Sequence, residues 1–448
     1  MGGAGGQTPM PEVFLYVDPA NGDDGQEGSV DAPLKTLREA LKQATAGYGI
    51  RLFPGTYSQT ANGESWSYEV PKGVFIEAVS TKVVFENDSA SEVDGLLVSG
   101  DLNVESVLFK GFAVALTADS GSVKLKAVDF VDADVFVRGA AKVDMAQGCG
   151  FQGASQLRAA GVSEVTVSDF VPKALADTRS FVECDEGSIV TLKSATFMQP
   201  ATGTWMFATK ASSQLTLDGI SIAGPKMTED ATGDERLIYA TDKCSVSLNS
   251  VTFTLGEANT DPDLFDDSFL FADSEANVSV TGSTLQGGGY AVKLSGSAQF
   301  MGDGVFATKA NTCFELVGGS IELKNSELKE CETGIFAADV ALTLKLSGTK
   351  IINHSNNGVW LNPGVDAQWT IDMGTTQAAG ANTLQGSGTN LLVEGGQTGL
   401  VVEARGNIWD PNEQGAGSDG KYNPTQVTAG MGTSGKNYSL FGLTTLRL

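Results

Sequence analysis

With 448 residues, a formal net charge of −25 and only 29 Lys and Arg, the chain lacks the clustered positive charge that neutralises phosphates. That excludes direct nucleic-acid binding and disfavours polyanionic glycans unless a divalent cation bridges them. A hydrophobic content of 41% suffices for a core, while 55 glycines and a charged content of 19% favour short strands and tight turns over helices.

Residues 1–12 read as a flexible tail. The start, MGGAGGQTPMP, lacks the basic and apolar stretches of a signal peptide. It reads as a linker behind a removed secretion or lipoprotein signal, so a lipid anchor would sit on a missing segment. No run approaches the roughly 18 apolar residues of a membrane span.

LYVDPANGDDGQEGSVDAPLKTLREALKQA (15–44) reads as a strand, a polar turn-rich stretch and a short helix. Thr36-Leu37-Arg38-Glu39 has the form of a capping box, in which the Thr hydroxyl and the Glu carboxylate close the first turn. Leu34, Leu37, Ala40 and Leu41 line one face of the helix, which is expected to lie over the first coil of a repetitive fold. GIRLFPGTY (49–57) then enters that coil as a strand broken by Pro54-Gly55. Within this stretch DPANGDDG (18–25) reads as a plain acidic turn, with calcium as the alternative.

From Leu102 onward one pattern recurs: an apolar–x–apolar pair, then an apolar residue about seven positions after its start. It starts at Leu102, Val123, Val190, Leu215, Val246, Val278, Ile321 and Leu344, with looser copies at Val143, Val165, Ala298 and Trp369. Successive starts lie 21, 20, 22, 25, 25, 31, 32, 20, 23, 23 and 25 residues apart. Twelve copies at a period near 22 describe a solenoid. Alternation inside each copy is strand-like, and a second short apolar strand, such as SFVEC, RLIYA, SFLFA or GIFAA, precedes many of them. The pattern predicts an all-β, single-stranded parallel β-helix of about twelve coils with an N-terminal capping helix. At roughly 4.8 Å per coil it would be a rod on the order of 55–60 Å long. The expected domain is one β-helix over residues 13–448, with a cap and first coil at 13–57 and an irregular C-terminal cap at 400–448.

The opening segment YVDPANGDDGQEGSVDAPLKTLREAL, with IRLFPGTY and VPKGVFIEA, resembles the start of the DUF1565 group of pectin-lyase-like right-handed β-helix proteins. ARGNIWDPN (404–412) is similar to the ending of such bacterial, often lipoprotein-like, chains. The resemblance covers roughly residues 14–78 and 403–423. It implies a right-handed coil and export to a cell surface, but not lyase activity, because the superfold hosts many roles.

Cys149, Cys184, Cys244, Cys313 and Cys331 are widely spaced, with no CxxC, and are expected as small apolar fillers of the core. The repeat register does not support a Cys313–Cys331 bridge. The sole histidine, His354 in INHSNNG, falls between coils and reads as a solvated loop residue, which removes Ser-His-Asp and histidine–zinc chemistry. Two chemistries stay open. Glycosidase work needs two carboxylates roughly 5–10 Å apart, and lyase work needs a Lys or Arg near the sugar, often with calcium.

The turns starting at Leu215 and Val246 are the long ones. Their excess falls at one point, as GPKMTEDATGDER (224–236) and GEANTDPDLFDD (256–267), preceded on the same side by VPKALADTR (171–179) and MQPATGTW (198–205). Together these loops would wall an acidic groove. Trp205, Glu229, Asp230, Asp234, Glu235 and Phe265 are candidate glycan contacts, and Asp261, Asp263, Asp266 and Asp267 a candidate calcium set. Asp263 and Asp267 with Arg236 are candidate catalytic groups, and Arg179 and Lys226 lie at the margins. The plain alternative is a pair of solvated acidic loops. No cofactor is required by any motif; calcium is the one ion the composition suggests. The leading functional reading is a non-catalytic, secreted or cell-surface protein, structural or adhesive, binding a surface glycan or protein partner. The alternatives are a polysaccharide lyase or glycosidase acting in the groove, and a subunit of a surface assembly.

Overall fold

The computed structural model describes residues 11–170, 175, 180–198, 206–223, 236–254, 268–375, 377–394, 398–410, 426–429, 433–434, 437–440 and 443–448. The chain divides into two compact units, residues 1–196 and 197–448. Each is a parallel β-helix built from three columns of strands.

In the first unit one column runs through Tyr68–Val70, Leu96–Val98, Val114–Ala118, Asp134–Val137, Leu157–Ala159 and Val182–Cys184, all parallel. The second takes in Val13–Val17, Tyr48–Leu52, Val74–Ala78, Leu102–Glu105, Ser122–Lys126, Lys142–Ala146, Glu164–Ser168 and Ile189–Lys193. The third holds Thr56–Tyr57, Val83–Glu86, Val107–Lys110, Asp129–Val131 and Gly150–Gln152.

The repeat now has a structural meaning. Its apolar–x–apolar pair is the inward side of a second-column strand: Val123 and Leu125 are buried while Lys124 and Lys126 point out. Its closing residue is the core residue of the third column. There Phe85, Phe109, Phe130 and Phe151 form a ladder with successive ring centroids 5.3, 5.4 and 4.9 Å apart. Such offset or edge contacts add about 0.5–1.5 kcal/mol per pair beyond burial.

From Leu102 onward the chain turns between those two columns through a left-handed residue. In the first unit these are Ser106, Ala127, Gln147, Asp169 and Ser194, with φ between 52° and 61°; in the second they include Gly219, Ser250, Gly282, Gly304, Asn325 and Gly348. Small polar residues and glycine recur there because this conformation costs other L-residues roughly 1–2 kcal/mol.

The opening stretch is a lid. One edge of Val13–Val17 pairs with the first coil. The other edge is covered by Tyr16 N–H to Gly28 O (2.8 Å), Leu34 N–H to Tyr16 O (2.9 Å) and Asp18 N–H to Leu34 O (2.8 Å). That removes the exposed edge at which strands of other molecules could add. The helix Leu37–Gln43 buries Leu37, Ala40 and Leu41. Its capping box is only half formed. The Glu39 amide donates to the Thr36 hydroxyl (3.2 Å), as the motif requires, but the Glu39 carboxylate turns to Lys42 (3.0 Å). Asp24 takes the Thr36 N–H (2.8 Å), and Glu64 takes the Leu37 N–H (2.7 Å). Asp24 thus replaces Glu39 at the N-cap amide, and Glu64 satisfies a further first-turn amide that the motif does not serve.

In the second unit the first column begins at Phe207–Thr209, Arg236–Ala240 and Ser268–Ala272. Four long strands, Tyr290–Asp303, Thr312–Lys324, Thr333–Ser347 and Asn357–Asp372, then bend to serve the first and second columns in turn. The parallel columns continue past the sequence motif, through Thr389–Val393 to Tyr438–Leu440 and through Thr398–Glu403 to Leu443–Arg447. Gln426–Ala429 and Thr433–Ser434 finish this end by antiparallel pairing. A side-chain ladder supports it: Asn382 Nδ2 donates to Asn407 Oδ1 (3.0 Å), and Asn390 Nδ2 to Asn437 Oδ1 (2.8 Å).

Two expectations are corrected here. His354 is not solvated: it is 1% exposed, and its ring occupies space left by Gly386, where a Cβ would fall 2.5 Å from the imidazole. Cys313 and Cys331 form a disulfide with Cα atoms 6.0 Å apart. The repeat register hides this pair because Thr312 faces Thr333, so Cys313 sits in a strand and Cys331 two residues before the next one. Cys149, Cys184 and Cys244 are buried, as fillers should be.

Candidate functional site: the outer face of the first column in the second unit

Register places Ala208, Tyr239, Phe271, Lys293, Glu315, Phe336, Trp360, Leu392 and Ser439 in a single row, one per coil. Tyr239, Lys293, Glu315, Phe336, Trp360 and Leu392 are half-buried, while Ala208, Phe271 and Ser439 are buried. Successive members are separated by about 4.8 Å, the strand spacing. The row has a clear division of character.

At one end the rings of Tyr239 and Phe271 stack, with centroids 5.8 Å apart and planes within 8°. The Tyr239 hydroxyl donates to Asp273 (3.2 Å). Toward the other end Phe336 and Trp360 meet edge to face at 4.8 Å, and the indole N–H donates to Glu394 (3.1 Å). Between the two pairs lies the ion pair of Lys293 and Glu315 (3.2 Å), with side chains only 23% and 12% exposed. Lys293 Nζ also sits 4.9 Å from the Tyr290 ring centroid, a cation–π contact.

Aromatic faces stack on the C–H faces of sugar rings, and a fixed ion pair offers donors and acceptors to hydroxyl groups. Two ring pairs with a polar centre therefore make a surface suited to several sugar units laid across consecutive coils. The sequence signal for it was present in RLIYA, SFLFA and GIFAA, where the position in this row is itself aromatic. Strict inward–outward alternation would place a polar residue there.

The acidic-groove residues Trp205, Glu229, Asp230, Asp234, Glu235, Asp261, Asp263, Phe265, Asp266 and Asp267 lie outside the described residues, as do Arg179 and Lys226. Arg236 is described only in its backbone, which opens a first-column strand facing Ser268. The long inserts nevertheless lead directly into the strands that carry Tyr239 and Phe271. Among the described residues no group of three or more His, Cys, Asp or Glu is arranged to hold a metal ion. In the acidic turn at 18–25, Asp18 accepts the Ala20 and Asn21 amides (2.9 and 3.0 Å), and Asp23 the Gly25 amide (2.9 Å). Asp24 accepts the Lys35 and Thr36 amides (2.9 and 2.8 Å). These carboxylates shape the cap.

Comparison with known proteins gives short sequence matches and distant structural likenesses. Residues 20–82 match the family described as "Protein of unknown function (DUF1565)", where the opening resemblance was read. A stretch of 48 residues is 48% identical to pectate lyase PEL9 of Emericella nidulans, but it covers 11% of this chain and 12% of that enzyme. Among solved structures, a bacteriophage CBA120 tailspike protein 3 aligns over 86% of this chain and 63% of its own at 10% identity, with a TM-score of 0.40. A rhamnogalacturonan lyase aligns over 75% and 83% at 14% identity, with a TM-score of 0.29. Likenesses this distant bear on no question of activity.

Proposed function

We propose that this pectin-lyase-like β-helix protein, headed by a DUF1565 segment, is an exported, non-catalytic glycan-binding protein. In this reading sugar chains lie along the first-column face of its second unit. The observation that carries the reading is the row of two aromatic pairs around Lys293 and Glu315. Export is supported by the Cys313–Cys331 disulfide, since such bonds persist mainly in oxidising compartments. A net charge of −25 favours neutral glycans over acidic ones unless a cation intervenes.

The test is a panel of neutral and acidic oligosaccharides, with and without calcium, read for binding and for chain shortening in the same samples. Trp360→Ala and Tyr239→Ala should each weaken binding roughly tenfold, the loss of about 1.4 kcal/mol of stacking. Unchanged affinity in both variants would reject the site.

A second reading is favoured by the local identity with a pectate lyase: the same face, completed by the long acidic loops, cleaves an acidic polysaccharide. Chain shortening that disappears in Asp263→Asn and Asp267→Asn would establish it in place of the first.

A further inference from the structure

We propose a second saccharide site, on the outer face of the second column in the first unit, for a single neutral sugar unit. It extends the glycan-binding reading to the other unit and rests on that reading. A cleft of about 220 Å³ opens on this face. Register sets Phe75, Asn103, Lys124 and Asp144 in one outward row on four consecutive coils along it.

Three properties distinguish this row. Phe75 is a half-exposed ring on an outward strand position, whereas the aromatic ladder of this unit is buried. Asn103, Lys124 and Asp144 have no side-chain hydrogen bond or ion pair among the described residues, although Lys82, Lys110, Lys126 and Lys142 of the same unit are all ion-paired. The adjoining row contributes Glu105 and Lys126, joined at 2.7 Å. The cleft thus holds two acids and two bases and presents no net charge.

A balanced cleft gives neither a polyanion nor a cation a Coulombic advantage. A neutral polyol suits it, because amide, ammonium and carboxylate groups can exchange hydrogen bonds with adjacent hydroxyls without burying an unmatched charge. Phe75 supplies the flat apolar surface that one face of a pyranose needs. Only Lys124 and Asp144 are exposed in the row, Phe75 and Asn103 being half-buried, so the site should bind the end or a branch of a chain.

The experiment titrates the full chain calorimetrically with cellohexaose, xylohexaose and mannohexaose, and with a galacturonate trimer as the acidic control. Two binding events with a neutral hexasaccharide are expected. Phe75→Ala should remove one, and Tyr239→Ala or Trp360→Ala should weaken the other roughly tenfold. Lys124→Met and Asp144→Asn, both exposed, should weaken the first-unit event at least ~10-fold, the range expected for a lost charge-assisted hydrogen bond. One event, weakened in Trp360→Ala and intact in Phe75→Ala, overturns this site and leaves the second-unit face standing. One event lost only in Phe75→Ala does the reverse. No event with any neutral probe, or a first-unit event confined to the galacturonate trimer, overturns the inference.

Discussion

The left-handed corner residues show what single positions contribute. Ala127 holds φ at 52° without the polar side chain that eases this conformation at Ser106 or Asp169. Ala127→Gly should therefore raise stability by a few tenths to about 1 kcal/mol, as relief of left-handed strain outweighs glycine's extra chain entropy; chemical denaturation would measure it. Glu64 is 1% exposed. Its carboxylate accepts from the Leu37 amide (2.7 Å), Asn62 (3.0 Å) and the Tyr68 hydroxyl (2.6 Å). Burial raises its pKa above the ordinary value in spite of those donors. A raised folded pKa contributes stability that is fully present below the unfolded value and is lost as pH rises through the folded one. The stability of the wild type relative to Glu64→Gln should accordingly increase as pH falls toward 4.5, the ordinary value for a glutamate, when followed by amide exchange of the cap helix. No trend in that difference would show that Glu64 does not titrate against folding. Burial also pushes the Cys149 thiol up, and the Cys244 thiol up to about 12. Iodoacetamide should leave both unmodified in the native protein, because the thiolate is the reactive form.

At the scale of elements, the cap helix depends on distant residues. Seven residues are too few for a helix to persist alone in water. It is held by Leu37, Ala40 and Leu41 against the coil and by Asp24 and Glu64 at its first amides. Asp24→Ala should lower the unfolding free energy by ~1–2 kcal/mol, the usual loss for an N-terminal capping group, and Leu41→Ala by roughly 2–5 kcal/mol. If Asp24→Ala left exchange across the helix unchanged, the lid would be held by packing alone. The Cys313–Cys331 link spans a sequence separation of 18 residues. Its replacement by a pair of serines should cost roughly 3 kcal/mol by loop closure, visible as a lower Tm that reductant no longer changes.

For the whole molecule, a net charge of −25 is a persistent self-repulsion that salt screens. Tm should rise as NaCl goes from low concentration to about 0.15 M, where the Debye length is ~8 Å. A fall would mean that ion pairs such as Lys293–Glu315 outweigh the repulsion. Glycan binding through hydroxyl contacts and stacking should change little over the same salt range.

The sequence alone determined the coil. A period near 22, inward apolar pairs and a closing core residue require only local alternation and repetition, both of which a linear string records. It also showed that the opening stretch covers an edge, because a helix with one apolar face needs something to cover. Tertiary structure decided the rest. Asp24 replaces half of a capping box, and Glu64 takes the Leu37 amide, because the fold, not the spacing, brings them there. Cys313 reaches Cys331 across a corner that the strand register does not count. His354 is buried because Gly386 leaves room for its ring, which no polar turn signature reveals. The aromatic row of the second unit exists only once the coils are stacked. Tyr239, Phe271, Phe336 and Trp360 are tens of residues apart in the chain, and their common face is a consequence of parallel pairing in register.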